Sequence, residues 1–165
     1  VPMGGVLMSE RVAGALEKYA GEVFHGYTYS GHPVACAAGL ANLRILEEED
    51  LPGRVAHEIG PYLQDRWSTL ADHPLIGEAR MTGLIGAVEL VADKAARARF
   101  ANEGATGLRA RDIAVESGLV MRAVGDTLVI SPPLSITEDE CDTLVARARA
   151  TLDTLAEELR PGAAA

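Results

Sequence analysis

The sequence predicts an α/β or α+β protein in which helices pack on a sheet. Three observations carry that reading: strand and helix patterns interleave through the middle of the chain, residues 119–130 carry a hairpin pattern, and a long amphipathic helix pattern closes the sequence. A chain of 165 residues that is 48% hydrophobic can bury a core, enough for one domain or for a domain plus part of another.

Taken in order, Gly5 to Ser9 reads as a short strand, and Ser9 ahead of Arg11-Val12-Ala13 is the N-cap of a helix running to about Ala20. A loop containing glycine and aromatic residues follows, from Gly21 to His32. Pro33 stands at the first position of the next helix, where its missing N–H costs nothing, and Val34 to Leu46 is rich in alanine. Its small residues, Cys36 and Gly39 among them, suggest close packing on several sides. Glu47-Glu48-Glu49-Asp50 breaks the apolar pattern and is the best boundary between an incomplete first unit and a compact second one.

Pro52 starts a helix whose Val55, Ile59, Leu63, Trp67 and Leu70 recur at helical spacing. Pro61 lies inside it and calls for a kink or a break, because proline removes a helical donor and crowds the carbonyl four residues back. Leu75 to Met81 and Leu84 to Val91 read as two strands joined across Thr82-Gly83. A helix from about Ala105 to Glu116 ends at Ser117-Gly118. Leu119 to Val124 and Thr127 to Ile130 flank Gly125-Asp126, a good hairpin turn pair. Pro132-Pro133 stops the second of these strands. Thr137-Glu138-Asp139-Glu140 is a capping box, and Cys141, Leu144, Val145, Ala148, Leu152, Leu155 and Leu159 form the stripe of the helix it opens. Arg160-Pro161-Gly162 ends that helix, and Ala163 to Ala165 reads as a frayed tail.

With 24 acidic against 15 basic residues, the formal charge of −9 repels phosphate backbones and anionic membrane surfaces, so neither nucleic acid nor a membrane is an expected partner. No apolar run approaches the roughly 20 residues of a bilayer helix. Cys36 and Cys141 are far apart at apolar helix positions, which predicts buried, reduced thiols in a cytoplasmic protein. Val1-Pro2-Met3-Gly4-Gly5 shows no targeting pattern and reads as the middle of a protein.

Several chemistries lack their signatures. There is no phosphate loop of the G-x-x-x-x-G-K-[ST] type, and His57-Glu58 lacks the second histidine of a zinc protease helix. Ser30 has Thr28 where a nucleophile elbow needs glycine. No cysteine or carboxylate stands at ligand spacing beside His25 and His32, so no metal is expected. What remains is His25-Gly26-Tyr27-Thr28-Tyr29-Ser30-Gly31-His32-Pro33, which sets hydroxyls and backbone N–H groups ahead of a positive helix terminus. That chemistry suits a phosphate or carboxylate. The plainer reading of the same residues is a turn and cap with two aromatics packed on the core.

Together with Pro2-Met3-Gly4-Gly5-Val6, Gly83 to Glu89 and Ser131-Pro132-Pro133-Leu134-Ser135-Ile136-Thr137, this segment resembles the class III aminotransferases, the group that includes the ω-amino acid aminotransferases. The similarity covers essentially the whole chain. It implies the C-terminal part of a fold-type-I transferase dependent on pyridoxal 5'-phosphate: residues 1–48 as the end of the large cofactor-binding domain, and 49–165 as the small domain. It implies that Thr28, with Tyr27 beside it, binds the cofactor phosphate in the neighbouring subunit, and hence a homodimer. Arg122 matches the family arginine that pairs with a substrate carboxylate, a task suited to a planar fork of donors; the alternative is an ordinary exposed strand arginine. Arg80 is followed by Met81 where the family often has glycine, and it is assigned no role.

The implied activity is transfer of an amino group between an amine or amino acid and a keto acid. It requires a lysine to hold the cofactor and carry a proton. The sequence has only Lys18 and Lys94, and both read as solvated surface charges. In the family the lysine precedes the residues matching Val1 to Gly5, so this chain by itself is expected to have no catalytic lysine and no activity. An aminomutase or decarboxylase of the same family, or a non-catalytic dimerisation or binding module, are the rival readings.

Overall fold

The computed structural model describes residues 1, 3–21 and 25–160. Pro2, residues 22–24 of the first loop, the Pro161-Gly162 stop and the tail after it lie outside the described residues. The chain divides into two compact units, Val1–Asp50 and Leu51–Ala165. Asp50, last of the acidic run, takes a left-handed backbone (φ 42°), a conformation that aspartate tolerates better than most residues.

The first unit holds α1 (Glu10–Ala20) and α2 (Pro33–Glu48). Ser9 stands at the N-cap of α1 and its carbonyl accepts from Val12 and Ala13 at 3.0 Å, but its side chain makes no capping bond. Three expectations fail here. Gly5 to Ser9 forms no strand, because no described segment pairs with its backbone. Nor is α2 packed on several sides: within this unit Gly39 is its buried residue, lying under the thioether of Met3 where an added Cβ would collide. Cys36 is exposed, contrary to its predicted burial. Small residues permit close packing but do not by themselves supply a partner.

The second unit starts with a nearly continuous helical run made of α3 (Leu51–Arg54), a π-helical stretch (Val55–Ile59), α4 (Gly60–Ser68) and a 3₁₀ turn (Thr69–Asp72). The π stretch is how the chain accommodates Pro61. The Gly60 N–H reaches back five residues to the Val55 carbonyl, which opens the helix where proline has no N–H to give. So the expected irregularity is present, as a bulge and not a break.

Four antiparallel strands follow, β1 (Ile76–Thr82), β2 (Ile85–Leu90), β3 (Arg122–Val124) and β4 (Thr127–Ile130), in the order β1-β2-β4-β3. Gly83 takes φ 54° in the first hairpin and Gly125 φ 57° in the second. Both are left-handed positions that suit glycine. Between the hairpins lies α5 (Ala105–Glu116), and α6 (Glu138–Glu158) closes the unit.

Strand alternation sorts the sheet into two faces. Gly86, Val88, Leu90, Leu128 and Ile130 are buried, in one core with Leu63, Trp67 and Leu70 from the first helical run, Ile113 and Ala114 of α5, and Cys141, Ala148, Leu152 and Leu155 of α6. Each large side chain buried this way contributes on the order of 1.5–3 kcal/mol. Trp67 also donates from its indole N–H to the Ala87 carbonyl at 3.2 Å, which ties α4 to β2. Arg54 donates to the carbonyls of Leu134 and Ile136 at 2.9 and 2.7 Å, anchoring the Pro132-to-Thr137 segment to the first helix of the unit. The capping box of α6 is complete: Glu140 N–H donates to the Thr137 hydroxyl at 3.3 Å, and Thr137 N–H to the Glu140 carboxylate at 2.9 Å. Those bonds from Thr137 hold the Glu140 carboxyl below its usual pKa.

Candidate functional site

Each unit presents one element suited to binding. In the first it is the turn ahead of α2. Ser30 N–H donates to the Tyr27 carbonyl at 2.9 Å, and Tyr27 N–H to the Ser30 hydroxyl at 3.2 Å, closing a turn with Thr28 and Tyr29 at its tip. Gly31, at φ 71°, lets the chain turn into the helix. His32 is the N-cap: its Nδ1 accepts from Ala35 N–H at 3.4 Å and its carbonyl from Cys36 N–H at 2.9 Å. The His25 and Tyr27 rings meet edge to face at 5.4 Å.

This leaves Thr28 at the tip. Among the described residues neither its hydroxyl nor its backbone N–H has an intramolecular partner, and Tyr29 N–H has none either. No carboxylate occurs between His25 and Pro33. Outward-facing donors, a positive helix terminus behind them and no competing negative charge make a fit for a phosphate group. Tyr27 is 74% exposed, so it is not the core aromatic of the plainer reading.

In the second unit the element is β3, an edge strand. Register across the sheet puts Arg122 in one row with Val129, Ala87 and Arg80. The two arginines differ. Arg80 donates to Glu78 at 2.8 Å and has Glu89 at 3.8 Å, so its charge is already matched. Arg122 is exposed, its side chain has no hydrogen bond or ion pair among the described residues, and the alternation of burial from Leu119 to Val124 leaves Val120, just ahead of the strand, and Val124 exposed with it. An unmatched guanidinium on an apolar strip is suited to a carboxylate carried on a ligand.

The lysines give no third element. Lys18 lies over the Tyr19 ring at 5.0 Å. Lys94 is exposed, but it is not simply solvated, because it donates to the Ala71 carbonyl. Among the described residues no three His, Cys, Asp or Glu side chains are grouped to hold a metal, and no helix is long and apolar enough to cross a membrane.

Sequence reasoning missed Asp126, which it took only as a turn residue. Its carboxylate accepts from Gly104 N–H at 3.0 Å and Gly107 N–H at 2.9 Å, and so closes the N-terminus of α5. A signal was available: α5 begins after Gly104 and has no capping side chain of its own.

Comparisons with known proteins agree on one family. Residues 1–152 match the family model described as aminotransferase class-III. The chain is 50% identical over 156 residues to the putrescine–pyruvate aminotransferase of Pseudomonas aeruginosa, covering 94% of the chain and 34% of that protein. It is 43% identical over 169 residues to the diaminobutyrate–2-oxoglutarate transaminase of Halomonas elongata, covering 98% of the chain and 36% of the relative. Among solved structures, the ω-transaminase of Pseudomonas jessenii in complex with PMP superposes with a TM-score of 0.79 at 40% identity, over 90% of this chain and 33% of that one. A transaminase solved with L-alanine gives a TM-score of 0.82 at 43% identity, over 93% and 37%. The chain thus spans about a third of the length of the curated relatives it matches.

Proposed function

This chain belongs to the class III aminotransferase family, and we propose that it is the C-terminal portion of a pyridoxal-phosphate-dependent enzyme that moves an amino group between an amine or amino acid and a keto acid. The observation that carries the reading is that the family match runs through both units and takes in the Thr28 turn and the Arg122 strand together. On this reading residues 1–48 end the large domain and 49–165 form the small one.

Bound pyridoxal phosphate supplies an electron sink for the substrate carbon that loses its proton. The chain's own residues do the binding and orienting. Thr28 donates its hydroxyl and backbone N–H to the cofactor phosphate, with Tyr27 beside it, and does so in the site of the neighbouring subunit, which makes the enzyme a homodimer. The support is the unpartnered state of both Thr28 donors in a turn free of carboxylates. Arg122 holds the carboxylate of an amino acid or keto acid through its two parallel N–H groups. A substrate without that carboxylate gains nothing from the guanidinium and lies against Val120 and Val124. The cofactor-holding lysine is neither Lys18 nor Lys94. Both cysteines are unpaired thiols, which suits a cytoplasmic setting.

The test is substrate selectivity in the full-length enzyme. Arg122→Ala is expected to lower kcat/KM for carboxylate-bearing substrates by roughly 10²-fold, as loss of a charge-assisted bidentate contact does, and to change plain amines little. Equal losses for both would refute the assignment.

A further inference from the structure

Arg122 lies on a strand of only three residues at the edge of the sheet, paired on one side alone, with β4. Such a strand has little of its own to hold it in place. The structure shows it fastened to α5 at both ends. Ahead of the strand, Leu119 N–H donates to the Ala114 carbonyl of α5 at 2.8 Å, and Arg147, from α6, donates to the Gly118 carbonyl at 2.6 Å. At the end, the Asp126 carboxylate receives the Gly104 and Gly107 N–H groups, while the Asp126 carbonyl accepts from Leu90 N–H at 2.9 Å.

Gly107 makes the second fastening possible. A Cβ there would run into the Gly125 carbonyl, so only glycine lets the hairpin turn lie this close to the helix. Gly104, at φ 82°, brings its N–H round to the same carboxylate. The negative charge at the helix N-terminus is also favourable to the helix, so the contact serves both elements.

We propose that Asp126 is a positioning residue for Arg122: by closing the N-terminus of α5 it sets the turn, and with it the strand, at the distance from the helix at which the guanidinium meets a substrate carboxylate. This rests on the reading of Arg122 as the carboxylate contact. Displacement of the strand by a fraction of an ångström to an ångström costs a contact that depends on parallel alignment far more than it costs apolar packing against valines.

The experiment compares an amino acid with the plain amine of matching carbon skeleton, in the full-length holoenzyme and in Asp126→Ala, Asp126→Asn, Gly107→Ala and Arg122→Ala. The ratio of the two kcat/KM values is expected to fall roughly tenfold in Asp126→Ala and in Gly107→Ala, with the loss in KM for the amino acid. Asp126→Asn, which keeps one acceptor, should fall between them and the unaltered enzyme, and it decides the matter where the harsher variants do not fold. A ratio unchanged in the folded Asp126 variants, or equal losses for both substrates, overturns the proposal if Arg122→Ala still collapses the ratio. If Arg122→Ala itself leaves the ratio unchanged, the reading of Arg122 falls and the proposal with it.

Discussion

His73 is 5% exposed and sits where the helical run meets β1, and its two ring nitrogens have different tasks. Nδ1 accepts the Leu75 N–H at 3.2 Å, while Nε2 faces the Asp153 carboxylate of α6 at 3.4 Å. Burial pushes its pKa below the ordinary value, against the pull of Asp153, and Arg149 and Lys94 add to the downward push. The unfolded chain therefore takes up the proton first as pH falls. Stability contributed by neutral His73 is complete above the ordinary histidine value, about 6.5, and is lost as pH drops below it toward the folded-state value. The urea midpoint is expected to fall between about pH 7.5 and about pH 5.5, and to fall less in His73→Asn, whose side-chain oxygen keeps the Leu75 bond without titrating. An identical drop in both proteins would mean that the proton goes elsewhere. At this scale the sequence identified Arg122 and Thr28 as residues of interest through their match to the family's motifs. That the Thr28 donors and the Arg122 side chain lack partners is a property of what surrounds them, and for Arg80, on β1 at the opposite edge of the sheet, the surroundings supply Glu78 instead.

Among the elements, α6 is the one whose start is most fully written in its own residues. Thr137 and Glu140 exchange bonds across one turn, and the acidic first turn Glu138, Asp139 and Glu140 suits the positive end of the helix. Thr137→Ala is expected to destabilise the second unit by about 1 kcal/mol, read as a lower urea midpoint with an unchanged slope; a change below about 0.3 kcal/mol would show that the cap is dispensable. The contrast is α5, which has no cap of its own and takes one from Asp126, 22 residues beyond Gly104. The same contrast separates the proline effects. Pro33 begins α2 as its local rule requires, whereas the response to Pro61 is a π-helical stretch where a kink or a break was expected. A local rule states that the hydrogen bond must be lost; how the backbone redistributes the others depends on what the helix packs against.

The two units differ as whole structures. The second has a continuous core from Ile59 to Leu155, while α1 buries no residue and α2 buries Gly39. Val6, Leu7, Tyr19, Val34, Leu40 and Leu43 are exposed large side chains of the first unit. For the chain as a whole, pyridoxal phosphate followed by borohydride is expected to leave no specific adduct, because Lys18 lies beside Tyr19 and Lys94 is bonded to the Ala71 carbonyl. Stoichiometric labelling of either lysine, mapped by mass spectrometry, would contradict the proposal that this chain alone lacks the catalytic amine.

By itself the sequence determined the positions of the helices, the two hairpins, their glycine turns and the α6 cap, and it carried the motifs by which the family is recognised. These are local features, set by periodicity and by the dihedral freedom of glycine and proline within a few residues. Tertiary structure alone decided the strand order β1-β2-β4-β3, the exposure of Cys36, the failure of Gly5 to Ser9 to pair, and the closing of α5 by Asp126. Each depends on which backbone donors and carboxylates are brought together from distant parts of the chain, and no pattern within one segment encodes its partner.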